Sequence, residues 1–253
     1  MVDNARKKIT SNLNLLVDIG NTNCKVVFYR DGRIGDMRRS PRRDALTFIL
    51  SVISKVKSKI NVIVVSNVRS SNVPIKRALK SKCRNLVILD YRTKLPIDLG
   101  YNFNAKELGA DRIASALAVA IMFKGQDCIK FDFGTALTVD FIDKAGKYIG
   151  GNISIGCRSR FRALNKFTGL LPFISPDLVF PPIGVTTTGA MTAGVVFGLI
   201  FEVEGYINRY PGHTIIFTGG DAFYFAAKMK NSIFAMQNMV LLGLAHIADY
   251  YAN

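Results

Sequence analysis

The chain has 253 residues and 49% of them are apolar, enough for one large domain or two modest ones with a substantial core. Four scattered cysteines, Cys24, Cys83, Cys128 and Cys157, form no CxxC pair or Cys/His cluster, which argues against a zinc site or a disulfide framework and suits a reducing compartment. The net charge of +16 is lopsided: residues 1–100 carry 21 Lys/Arg against 7 Asp/Glu, and residues 101–253 carry 13 against 11. Clusters such as Arg38–Arg43 (RRSPRR) and Lys76–Arg84 could face nucleic acid. No nucleic-acid module accompanies them, so a solvated basic surface is the favoured reading.

Residues 1–13 are polar and lack the apolar centre of a signal segment. Next comes NLLVDIGNTNCKVVFY, Asn14–Tyr29, where an apolar run drives into Asp18 and Gly20 and a second run follows. The pattern returns 114 residues later as FDFGTALTVDFIDKAGKYI. Asp18 then meets Asp132, Gly20 meets Gly134, Asn21 meets Thr135 and Gly32 meets Gly146. Each copy predicts strand, tight turn, strand, Gly-containing turn, strand. Two such units suggest two similar domains with both turns directed at one ligand. Glycine lets backbone approach a phosphate, exposed turn N–H groups with Asn21, Thr22 and Thr135 can donate to its oxygens, and the two Asp can hold cations directly or through water. One copy alone would read as an ordinary hairpin.

Between the copies, LGADRIASALAVAIMF predicts an Ala-rich helix from Ala110. Asp111 lies in its first turn, where a carboxylate serves as a cap; it could instead be a general base, with Arg112 gripping an anion. On these residues alone the cap is the better reading. After the second hairpin, GGNISIGCRSRF predicts a Gly-rich loop and a basic helix from about Arg158. A long helix opens at Thr186, Thr187 and Thr188. Its nearly charge-free stretch, Gly189–Phe201, is shorter than the about 20 residues a bilayer requires, and a soluble cytoplasmic protein is expected. FTGGDA predicts a strand ending at Thr218, a turn at Gly219 and Gly220 that allows close approach, and a helix from about Asp221; by itself this turn is a weak sign of a ligand. The chain closes on an amphipathic helix.

Taken in order, DIGNT, GADR, DFGTALT, GGNI, TTTGAM, TGGDA and VLLGL resemble the type III pantothenate kinases, over the chain from about Leu15 to Asn253. The resemblance implies an α/β fold of two ribonuclease H-like, actin-like ATPase domains, with mixed sheets flanked by helices and related by internal duplication. These would span residues 14–109 and 110–253 after an extension at 1–13, with the last helix packing back on the first domain. It implies ATP-dependent phosphorylation of pantothenate, the first step of coenzyme A synthesis. Asp18, Ile19, Gly20, Asn21, Thr22, Asn23, Cys24 and Lys25 would contact ATP, together with Thr135, Gly219 and Gly220. Asp18 would lie near magnesium, through water. Asp111 would be the base. Tyr101, Gly109, Ala110, Asp111, Arg112 and Thr187 would line the pantothenate site, and Asp132 would bind potassium or ammonium. Family members are homodimers.

Two positions depart from the family pattern. Ile155 stands where a Pro usually precedes the loop glycine Gly156, which predicts a less rigid loop. Val185–Thr186 stand where Lys-Asn is common, which puts a substrate contact in doubt. Two other readings stay open. One is a non-catalytic transcription accessory or nucleic-acid-binding relative, supported by the basic first half. The other is a kinase for a different small hydroxy compound.

Overall fold

The structure, a computed structural model, describes residues 13–68, 71–100, 105–175 and 182–252. The extension expected at 1–13 lies outside these residues except for Leu13. The chain divides into two compact units. The first comprises Met1–Pro96, Leu108–Ala114 and Val240–Asn253; the second comprises Ile97–Glu107 and Ser115–Met239.

The first unit is built on the opening apolar runs. β1 (Asn14–Ile19) pairs antiparallel with β2 (Asn23–Arg30), which also pairs with β3 (Arg33–Ile34) and β4 (Arg38–Pro41). Helix α1 (Ala45–Ser54) leads into β5 (Ile60–Asn67), and α2 (Val73–Leu79) leads into β6 (Cys83–Ile88). The sheet order is β3-β2-β1-β5-β6, with β5 and β6 parallel to β1. Alternation along the strands decides what each face meets. Leu15, Val17, Cys24, Val26, Ile63 and Val65 share one core with Ile49 and Val52 of α1 and with Ile75 and Leu79 of α2.

Helix α3 (Ala110–Met122) starts in the first unit and continues in the second. It is apolar on nearly every side and correspondingly buried, from Ile113 through Val119. The second unit repeats the hairpin as β7 (Cys128–Phe133), β8 (Ala136–Ile142) and β9 (Tyr148–Ile155), followed by α4 (Cys157–Phe167) and α5 (Thr187–Arg209). Then come β10 (Thr214–Gly219), α6 (Ala222–Ala226) and β11 (Ile233–Ala235). Read from its β9 edge, this sheet runs β9-β8-β7-β10-β11, with the same order and the same strand directions as the first. The duplication seen as a 114-residue offset is therefore a duplication of topology.

The aromatic core of the second unit gathers Phe131, Phe133, Phe217 and Phe225, with Phe133 and Phe225 stacked at 4.8 Å. Helix α5 runs past Glu202 to 23 residues, which makes it long and apolar enough to cross a membrane by length and composition, longer than its charge-free stretch predicts. Met191, Val195, Val196, Leu199, Ile200 and Val203 bury one side of it in this core, so it is a core helix. The last helix, α7 (Met239–Ala252), lies from Val240 onward in the first unit, where Asp249 accepts a hydrogen bond from Tyr29 of β2. A Cβ on Gly243 of α7 would stand 1.8 Å from the Ala114 carbonyl, so only glycine permits α7 to press on the first turns of α3.

Candidate functional site

The β1–β2 connection answers why a carboxylate ends a buried strand. Asp18 is only 5% exposed and sits one pair before the end of the ladder, opposite Lys25, whose Nζ lies 3.8 Å from Oδ2. Gly20 N–H donates to the Asn23 carbonyl at 3.0 Å and closes the turn. Asn21, Thr22 and Asn23 are exposed at its tip. Ile19 and Cys24 face the other way, into the α1–α2 core, so only their backbone is available to a ligand. Burial, with the Asp18 charge nearby, pushes the Cys24 thiol up to about 12, which keeps it protonated and inert.

The predicted acid lies in the same unit. Val68, just beyond β5, donates to the Ile19 carbonyl at 3.3 Å, and its side chain is 4.0 Å from where a Cβ on Gly109 would be. Gly109 precedes α3, and Asp111 stands in its first turn, half-buried, with Oδ1 accepting from Arg112 N–H at 2.8 Å. The phosphate-type turn and the start of the acid-bearing helix thus meet through Val68. Ala110 is buried. Tyr101, also expected to touch substrate, lies outside the described residues.

The second unit holds the matching turn. Asp132 pairs with Thr138 across the hairpin, and Gly134 N–H donates to the Ala136 carbonyl at 3.0 Å. Thr135 is exposed at the tip. The Gly-Gly turn belongs here as well. Gly219 has φ +94°, a left-handed conformation that favours glycine, and a Cβ there would stand 2.5 Å from Asp132 Oδ1. Gly220 is exposed beside it, and Asp221 begins α6 with Arg158 of α4 at 3.4 Å. In the TTT run, Thr186 is the cap of α5, its hydroxyl accepting from Gly189 N–H at 3.1 Å, which leaves Thr187 exposed as the first helical residue.

Two features were not legible as site residues. Ser66 on β5 stands in register with Asp18, as Thr218 on β10 does with Asp132. Both hydroxyls are buried at the end of an apolar run, and that repeated position was the available signal. On the other side of Asp18, β4 sets Arg39 opposite Lys25. The row Ser66, Asp18, Lys25, Arg39 therefore crosses four strands on one face.

Ile155, which stands before the loop glycine Gly156, is tied to its surroundings. Ile155 stays in the ladder opposite Ala136, its carbonyl accepts from Arg160 Nε at 2.8 Å, and Arg160 is held in turn by Glu202 of α5. Gly156 N–H donates to the Thr135 carbonyl at 3.1 Å.

The donor chemistry bears on metals. Among the described residues no cluster of three or more His, Cys, Asp or Glu could cage an ion. Single carboxylates beside exposed turn amides and hydroxyls instead fit a hard cation that keeps waters and shares a ligand's phosphate oxygens.

Comparison with known proteins agrees with this geometry. The family model described as type III pantothenate kinase matches residues 14–209. The chain is 37% identical over 242 residues to a type III pantothenate kinase from Phocaeicola vulgatus, covering 94% of this chain and 98% of that one. Among solved structures, it resembles a Baf family transcriptional activator from Campylobacter jejuni at TM-score 0.60 and 22% identity, covering 93% and 98% of the two chains. It also resembles the activator of 2-hydroxyisocaproyl-CoA dehydratase from Clostridium difficile, solved with ADPNP bound, at TM-score 0.55 and 15% identity, covering 95% of each. These structural likenesses establish the actin-like ATPase fold.

Proposed function

Because the chain belongs to the type III pantothenate kinase family, and so transfers a phosphoryl group from ATP to pantothenate in coenzyme A synthesis, we propose that Asp111 is its general base and that the two Asp turns hold the nucleotide. The observation that carries the reading is the start of α3. There a half-buried carboxylate, oriented by Arg112 N–H, stands beside the Asp18 turn of the same unit.

Phosphoryl transfer relies on positioning and charge neutralisation more than on covalent help from the protein. The backbone of Gly20–Asn23 and the Lys25 ammonium hold phosphate oxygens. Thr135, Gly219 and Gly220 are further nucleotide contacts. Arg112 pairs with the pantothenate carboxylate, and Gly109, Ala110 and Thr187 line the substrate. Asp111 takes the proton of the primary hydroxyl as its oxygen bonds to the γ-phosphorus and the bond from that phosphorus to the ADP oxygen breaks. Asp18 would hold the divalent ion, magnesium, through water, and Asp132 would hold potassium or ammonium; bound there, both would offset phosphate charge.

The exposed side of α5 supports a homodimer. Ala190, Gly194, Phe201 and Gly205 are exposed along it, Phe201 is 64% exposed, and the small residues allow a second helix to come close. Phe201→Glu is expected to convert a dimer to monomer in sedimentation; a monomeric parent protein would remove this assignment. We place the protein in the cytoplasm, where ATP is available. The accessory reading is not taken up, since at 22% identity the likeness to the Baf family activator carries fold alone.

ADP release by the purified protein with magnesium and ATP tests the reading. Release should depend on pantothenate and be at least several-fold faster in potassium or ammonium than in sodium. Equal rates in all three salts would remove the role given to Asp132.

A further inference from the structure

Arg42 opens a single 3-10 turn after β4, at the end of the basic run Arg38–Arg43. Pairing of β2 with β4 lays this run along the first Asp turn, with Arg39 opposite Lys25 and Pro41 opposite Asn23. One residue further, Arg42 N–H donates to the Thr22 carbonyl at 3.0 Å. The Arg42 backbone is therefore tied to the tip of the turn.

The Arg42 side chain is set apart from its neighbours. Its Nε is buried and has no hydrogen-bond partner. A guanidinium N–H withdrawn from water without an acceptor is unfavourable, and an anionic oxygen arriving at the turn would satisfy it. Arg43 is exposed and reaches Asp44 at 3.4 Å, while Arg38 lies over the Phe28 ring at 5.7 Å. With Lys25 and Arg39 beside it, Arg42 makes this flank of the turn strongly positive, with Asp18 as the acid facing Lys25.

We propose that Arg42 grips the polyphosphate of the nucleotide from the β4 side of the Asp18–Lys25 turn. This rests on the reading that the turn holds phosphates. A guanidinium suits the role because its planar fork matches phosphate oxygens and keeps its charge at any working pH.

The test is equilibrium binding of a non-hydrolysable ATP analogue and of adenosine, with magnesium, to the full chain. Arg42→Gln should weaken the analogue at least 10-fold and leave adenosine unchanged, while Arg43→Gln should alter neither. Arg42→Met, which keeps the aliphatic stem, is read in the same way if the Gln variant does not fold. An unchanged affinity for the analogue would overturn the proposal. So would an equal loss for adenosine, which marks a structural role, or an equal loss in Arg43→Gln, which marks general charge. Parent protein that binds the analogue no better than adenosine would remove the reading of the turn as well. Parent protein that prefers the analogue, with Arg42→Gln unaffected, would remove the role of Arg42 alone.

Discussion

Asp111→Asn is expected to lower kcat by roughly 10²- to 10⁴-fold, the usual contribution of a positioned general base, while the protein stays folded. The substitution separates the two roles a first-turn carboxylate can have. Asparagine keeps an oxygen that can accept from Arg112 N–H, the bond Asp111 Oδ1 makes at 2.8 Å, so helix capping survives. What it cannot do is take up the substrate proton. The informative set is kcat, the melting temperature and the affinity for pantothenate, measured on one preparation. A melting temperature near that of the parent with turnover almost gone supports the base. Turnover within 10-fold of the parent would leave Asp111 as a cap only.

The largest effect on stability is expected at Lys130. Its side chain is 1% exposed and its Nζ lies 2.7 Å from Asp140 Oδ2, itself fully buried. Lys130 also donates to Ser115 Oγ at 2.6 Å, and Tyr148 OH donates to Asp140 Oδ1 at 2.7 Å. The network ties α3 to β7, β8 and β9 within the second unit. Removing one member of a buried pair leaves the other charge uncompensated, which costs about 3–5 kcal/mol. Lys130→Met should therefore lower the melting temperature by roughly 10 °C for a chain of this size. Lys130→Met combined with Asp140→Leu should recover part of the loss, because no charge is then stranded. A Lys130→Met protein that melts with its parent would show that the pair contributes little.

The Lys130 network also marks a limit of reading in one dimension. Register counted from the Gly134–Thr135 turn puts Lys130 opposite Asp140, as it puts Asp132 opposite Thr138. The same count in the first hairpin pairs Leu16 with Val27, an apolar contact. A charge inside an apolar strand in one copy only is the sign of this pair. Arg42 was overlooked for another reason. It sat in a basic run that read as solvated surface, and only the pairing of β4 with β2 brings that run to the turn.

By itself the sequence determined the family, the duplicated hairpins, the helices at Ala110 and Thr187 and the two Asp turns. The family follows from the resemblance of its motifs, and the elements from alternation and tight-turn glycines, which act over a few residues, together with the 114-residue repeat. Only the tertiary structure decided which side chains at those turns are available. Ile19 and Cys24 point into a core, Ser66 and Thr218 stand beside the two carboxylates, and Gly219 presses on Asp132. It also made α5 a core helix despite its length. The reason is that burial and cross-strand neighbours depend on strand order and sheet face, which are settled by contacts between residues far apart in the chain.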